Sequence, residues 1–184
     1  YVLDHEILDT IPKNKQYDFS LDLFPKLMSK KILFSGLVVK DYWIDVGRVQ
    51  NYLLANEWLL KNRSAKVVES SSTISGNAKL VPPYIIGKNV MVKPGAQIGP
   101  YSVIGDSCVV GVNSKVQNSI LYHHTLIGDD STVTQSIVSD KCTLHNGVKV
   151  LDGTIIGSGC TVENGVSVLA GSKVGPFVKI PAGT

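Results

Sequence analysis

From Ile74 to Ile180 an aliphatic residue returns almost every six positions: Ile74, Leu80, Ile86, Val92, Ile98, Ile104, Val110, Val116, Leu121, Ile127, Val133, Val138, Leu144, Val150, Ile156, Val162, Val168, Val174 and Ile180. A helix repeats near 3.6 residues and a half-buried strand near 2, so this rhythm is neither. It fits a coil with three flat sides, each side a short strand that sends one aliphatic side chain inward. The residue after the beat is often glycine, as at Gly87, Gly99, Gly105, Gly111, Gly128, Gly157 and Gly175. A hexapeptide repeat of this kind marks a β-helix. A β-sandwich would need longer period-2 runs and irregularly spaced hairpin turns, and neither is present.

Four residues after most beats stands a small or β-branched residue, among them Ala78, Ala96, Ser102, Cys108, Ser114, Thr125, Ser131, Cys142, Thr154, Cys160 and Thr184. A narrow interior accepts such residues near its corners. Tyr84, Ile120 and Ile137 break this rule as read from the spacing. Two steps are one residue short, Val116 to Leu121 and Val133 to Val138. They lie three sides apart and so share a face in neighbouring turns, with matching sequences Gln117-Asn118-Ser119-Ile120 and Thr134-Gln135-Ser136-Ile137. The pairing keeps the stack in register. Three hexads per turn predict about six turns and a prism ~30 Å tall. The register puts Cys108, Cys142 and Cys160 on one face, the last two on successive turns with Cα atoms ~5 Å apart. Free thiols are expected, because parallel neighbours stack without the disulfide torsion.

The first seventy residues differ in kind. Val2-Leu3 opens an extended segment that stops before Pro12, and Ser20 is an N-cap candidate ahead of Leu21-Asp22-Leu23-Phe24. Ile32 to Val39 reads as a strand, and Tyr42 to Gly47 as a loop or strand end. From Arg48 to about Lys61, the apolar residues Val49, Tyr52, Leu53 and Leu60 predict an amphipathic helix. Its apolar face must pack on the coil or on another chain. Strand, helix, strand, helix describes part of an α/β sheet domain. The expected division is therefore 1–63, an α/β segment, and 64–184, the β-helix. The chain opens at Tyr1, as though a front half preceded it.

Composition adds exclusions. A net charge of +3 is too small and too dispersed to argue for nucleic acid. No apolar run reaches membrane length and no signal peptide is visible. Three cysteines without CxxC spacing suggest a reducing compartment, hence the cytoplasm, and no zinc site.

Three stretches carry a resemblance: Tyr17-Asp18-Phe19-Ser20-Leu21-Asp22-Leu23-Phe24-Pro25-Lys26-Leu27, then Tyr42-Trp43-Ile44-Asp45-Val46-Gly47-Arg48, then Tyr52-Leu53-Leu54-Ala55-Asn56. With the repeat, the chain resembles the sugar-1-phosphate nucleotidyltransferases (NDP-sugar pyrophosphorylases), most of all the mannose-1-phosphate guanylyltransferase branch. The resemblance implies a Rossmann-like catalytic domain followed by a left-handed parallel β-helix. It implies an enzyme that joins a sugar 1-phosphate to a nucleoside triphosphate, giving an NDP-sugar of the GDP-mannose kind and pyrophosphate. It also implies magnesium, with Asp45 as the second of two aspartates that hold the metal and Gly47 letting the backbone pass close by. An N-cap on the Arg48 helix is the structural alternative for Asp45. Arg48 could meet a phosphate or simply face solvent. The Gly-rich triphosphate loop and the first aspartate belong to the front of this family and do not occur here. This chain is thus expected to be the carboxyl-terminal part, with no catalytic residue of its own and inactive alone.

Two other functions are open to a β-helix. An acyltransferase would use a histidine beside acyl-CoA, and the candidates are His123, His124 and His145. His123 and His124 fall between beats, where solvated corners are expected, and three converging histidines of a carbonic anhydrase-like zinc site are not. A non-catalytic scaffold would use exposed coil edges, such as that at Thr184, to form a homo-oligomer or bind a regulator.

Overall fold

The computed structural model describes residues 1–183, so the inward position expected at Thr184 lies outside the described residues. The described chain forms two compact units, Tyr1–Tyr42 and a second that begins at Trp43.

The second unit is the coil with one helix. Twenty short strands run from β1 (Lys66–Val68) to β20 (Lys179–Ile180). All pairings are parallel, in sheets of seven, seven and six strands, each strand bonded to the one three places on. This is the left-handed parallel β-helix. The beats stack in three inward columns. Ile86, Ile104, Leu121, Val138 and Ile156 share one face, Val92, Val110, Ile127, Leu144 and Val162 the second, and Ile98, Val116, Val133, Val150 and Val168 the third. All fifteen are buried, while Ile74, Leu80, Val174 and Ile180 near the two ends are only partly covered. Burial of each contributes about 1.5–3 kcal/mol gross. The coil also begins one beat earlier than the counted rhythm: Val68 pairs with Ile86 and adds a strand, so twenty strands make nearly seven turns.

Cys142 and Cys160 are neighbours in register, with Thr143 N–H donating to the Cys160 carbonyl, and all three cysteines are buried free thiols. Each Sγ faces a main-chain carbonyl of the next turn, Cys108 that of Tyr122 at 2.9 Å. Burial pushes the Cys108 thiol up to about 11.

The shortened sides lie side by side, with Ile120 opposite Ile137 and Leu121 opposite Val138. The expectation that Ile120 and Ile137 are the inward exceptions is corrected. The missing residue moves the small inward position one place back, onto Ser119 and Ser136, both fully buried. Ser102, Ser119, Ser136 and Thr154 then line one inner corner, their hydroxyls bonded to main-chain carbonyls. Ile120 and Ile137 turn outward instead, in a row with Val103 and Ile155.

That outward apolar row is met by helix α3 (Val49–Asn62). Leu53 and Leu60 are buried on its inner side, and Tyr52, Ala55 and Leu59 stand around Ile120. The predicted amphipathic helix and its packing on the coil both hold. By compactness α3 goes with the coil, so the unit boundary falls at Tyr42, earlier than the end of the repeat-free segment.

In the first unit, helix α1 (His5–Leu8) occupies the stretch expected to be extended, with Asp4 as its cap. Residues Phe19–Leu23 form a π-helical turn that runs into α2 (Phe24–Ser29). Its cap is Asp18 and not Ser20: the Asp18 carboxylate accepts from Ser20 and Leu21 N–H at 2.7 and 2.8 Å, and Asp22 reaches back to Asp18 N–H. A carboxylate at that point also meets the positive end of the turn. Tyr1, Phe19, Phe24 and Phe34 form a ring cluster, the first two stacked at 5.2 Å. The strand expected over Ile32–Val39 is absent. A strand needs a neighbour for its N–H and C=O groups. This run has none, and Leu33, Leu37 and Val38 stand at least 85% exposed.

Candidate functional site

The Asp45 segment is a tight local structure. Asp45 Oδ1 accepts from Gly47 N–H at 2.9 Å, closing an Asx turn, and a Cβ on Gly47 would press on that same oxygen at 3.2 Å. Asn51 Nδ2, one turn into α3, donates to the Asp45 carbonyl at 2.7 Å. The cap of α3 is Arg48, which makes no side-chain cap bond. Asp45 is therefore not the helix cap, although its residue type would serve as one. Its carboxylate is exposed, with one oxygen fixed by the turn.

A cleft of ≈ 630 Å³ opens between this segment and the coil, lined by Gly47, Arg48, Tyr52, Tyr122, Ser139 and Lys173 among others. Arg48 itself is exposed. Tyr52 and Tyr122 join hydroxyl to hydroxyl at 2.7 Å across the helix–coil contact. That bond, with a smaller effect of burial, raises the Tyr122 phenol to about 12. Nothing in the sequence linked these tyrosines, which lie 70 residues apart.

The histidines stand elsewhere and apart. His123 belongs to a ladder along one outer corner: Asp106 Oδ1 accepts from Lys88 N–H, His123 Nδ1 from Asp106 N–H at 3.0 Å, and Asp140 Oδ1 from His123 N–H. A second corner repeats it with Asp129, Asn146 and Asn164. A main-chain N–H can only donate, so Nδ1 presents its lone pair there and the ring proton sits on Nε2. His124, exposed, takes the left-handed corner conformation at φ +57°. His145 lies 4.0 Å from Glu163, whose carboxyl is held below its usual range by a hydrogen bond from Lys179. The solvated-corner reading of His123 and His124 stands. Among the described residues no three His, Cys, Asp or Glu side chains converge as a metal cluster, and no helix is long and apolar enough to cross a membrane.

The coil and its stacked corners define a protein of the hexapeptide β-helix class. Among solved structures it resembles the acetyltransferase domain of PglB from Neisseria gonorrhoeae in complex with acetyl coenzyme A. The TM-score is 0.57 at 20% identity, over 59% of this chain and 53% of that one, a likeness of fold alone. The family model described as GMPPB C-terminal domain matches residues 80–183, and that described as nucleotidyl transferase matches residues 1–62. The chain belongs to the sugar-1-phosphate nucleotidyltransferase family, in which it matches the carboxyl-terminal region. Among its relatives is a UTP–glucose-1-phosphate uridylyltransferase from Synechocystis, 26% identical over 75% of this chain and 39% of that protein. A glucose-1-phosphate adenylyltransferase from Bacillus subtilis is 34% identical over 64% and 29%. The bifunctional protein GlmU of Methanococcus vannielii is 30% identical over 74% and 37%. The chain thus spans no more than two-fifths of the length of these relatives.

Proposed function

We propose that this chain is the carboxyl-terminal part of a cytoplasmic enzyme that makes an NDP-sugar, of the GDP-mannose kind, from a nucleoside triphosphate and a sugar 1-phosphate. In that reaction a sugar-phosphate oxygen bonds to the α-phosphorus as the bond to the β-phosphate oxygen breaks, and pyrophosphate leaves. Asp45 serves there as one of two carboxylates for magnesium. The observation that carries this reading is the Asp45–Gly47 Asx turn: it fixes one carboxylate oxygen and leaves an exposed, hard ligand two residues from Gly47, which lines a cleft. Oxygen ligands of this kind suit magnesium, and one carboxylate needs a partner from elsewhere to complete a site. When bound, the metal neutralises phosphate charge during transfer. The exposed outer faces and edges of the coil suit a homo-oligomer.

The test is pyrophosphate release, measured for this chain alone and for the enzyme that joins it to a full nucleotidyltransferase domain. The joined enzyme is expected to turn over, with GTP and mannose 1-phosphate preferred over UTP or ATP with glucose 1-phosphate. The chain alone is expected to be inactive. Preference for another pair would replace the GDP-mannose assignment, and saturable coenzyme A binding by calorimetry would favour an acyltransferase instead.

A further inference from the structure

The Asp45 loop has little to hold it. Trp43 is 82% exposed and Val46 51% exposed, no strand passes through the segment, and the helix that follows has no side-chain cap. Two hydrogen bonds made by adjacent residues of α3 supply the missing support. Asn51 grips the loop through the Asp45 carbonyl at 2.7 Å. Tyr52 grips the coil through the Tyr122 hydroxyl at 2.7 Å. Consecutive helical residues point about 100° apart, so one can face the loop while the next faces the coil. Asn56, one turn beyond Tyr52 on the same side, adds a longer contact of 3.3 Å to the Tyr101 carbonyl. The coil end of this chain is rigid by construction, since Tyr122 follows the buried beat Leu121 and Tyr101 precedes the buried Ser102.

We propose that Tyr122, Tyr52 and Asn51 are positioning residues, through which the β-helix holds the Asp45 carboxylate in place. The coil then has a part in catalysis without touching substrate: it sets where the metal-binding loop stands. This inference rests on the magnesium role of Asp45. A misplaced metal ligand loses affinity and rate even when the fold is intact.

Two measurements test it. Amide hydrogen exchange on this chain reads the loop directly, because Gly47 N–H is bonded to Asp45 Oδ1. Exchange at Gly47 is expected to quicken about 5-fold or more in Tyr122→Phe, Tyr52→Phe and Asn51→Ala, as loss of one hydrogen bond allows. Coil amides such as those of Ile127 and Val133 should be unchanged. The double variant Tyr52→Phe/Tyr122→Phe should match either single one, because both remove the same bond. Unchanged exchange at Gly47 overturns the proposal. In the joined enzyme, the same variants are expected to raise the magnesium concentration for half-maximal turnover several-fold, with smaller change in kcat at saturating metal. A loosened loop with an unaltered magnesium requirement also overturns it. Asp45→Asn in that assay separates the two ideas. If it abolishes turnover while the anchors prove irrelevant, the metal reading stands and the anchoring falls; if it leaves turnover normal, the metal reading fails first.

Discussion

His123 stands where Asp106 stands one turn earlier and Asp140 one turn later, and it does what they do. Its ring nitrogen receives a main-chain N–H that would otherwise face water. His123→Ala should therefore cost about 0.5–1 kcal/mol in denaturant unfolding, and His123→Asn should restore most of it, since an amide oxygen accepts the same bond. Loss of more than ~2 kcal/mol would show that the ring does something besides bridging two turns. Close stacking of the turns explains most of the glycines after the beats, and at Gly87, Gly111 and Gly128 a ladder side chain adds to it. At Gly128 a Cβ would stand 2.5 Å from His145 C, 2.7 Å from Asn146 N and 2.6 Å from Asn146 Oδ1, because the backbone of the next turn passes there and the Asn146 side chain folds over the same spot. Period and glycine were both legible in the sequence. The ladder was not, because it joins residues 17 or 18 apart through side chains of three different types. The Tyr122 phenol gives a pH prediction. Its folded value is raised to about 12 from 10, so the bonded neutral form contributes stability that is fully present below pH 10 and fades as pH climbs through 12. Unfolding of the parent chain and of Tyr122→Phe should differ at pH 8, and the difference should shrink steadily above pH 10.

At the scale of elements, the inward beats could be read because each strand repeats one demand, an aliphatic residue pointing at a common axis. Where the repeat loses a residue, spacing alone no longer identifies the inward side chain. The spacing put Ile120 and Ile137 inside, whereas the backbone there turns Ser119 and Ser136 inward and frees the isoleucines for α3. The helix needs that row as the row needs the helix. Leu53→Ala, which removes a nearly buried side chain from the contact, should cost about 2–4 kcal/mol, while Leu21→Ala at a 79% exposed site should cost under ~0.5 kcal/mol. Equal, small effects would mean that α3 is only loosely placed. The first unit was the least legible part. Its apolar run Ile32–Val39 has strand composition, but a strand is a property of its neighbours, and none pairs with it here. Asp18, by contrast, carries its cap within four residues, and a local bond of that length is legible in sequence, although Ser20 is of an equally suitable type.

For the molecule as a whole, compactness places α3 with the coil and leaves Tyr1–Tyr42 as a unit of its own. Removing residues 1–42 should leave the melting transition of the coil nearly unchanged by circular dichroism. Removing residues 1–63 should leave a folded β-helix that melts lower and binds apolar dye, because Ile120 loses its cover and joins the partly exposed Val103, Ile137 and Ile155 of its row. A 43–184 chain that fails to fold would show that the first unit is structurally required. The family assignment comes from both segments, and the proposed mechanism turns on one side chain, Asp45. The measurement that bears on it most directly is steady-state pyrophosphate release by the joined enzyme and its Asp45→Asn variant, with melting temperatures taken on both. Asparagine keeps the Asx turn, since its side-chain oxygen still accepts from Gly47 N–H, but it removes the charge. The expected result is an unchanged melting temperature with turnover reduced about 100-fold or more, roughly the loss of 3 kcal/mol of transition-state stabilisation. Turnover within a factor of two of the parent enzyme would contradict the account and return Asp45 to a purely structural role.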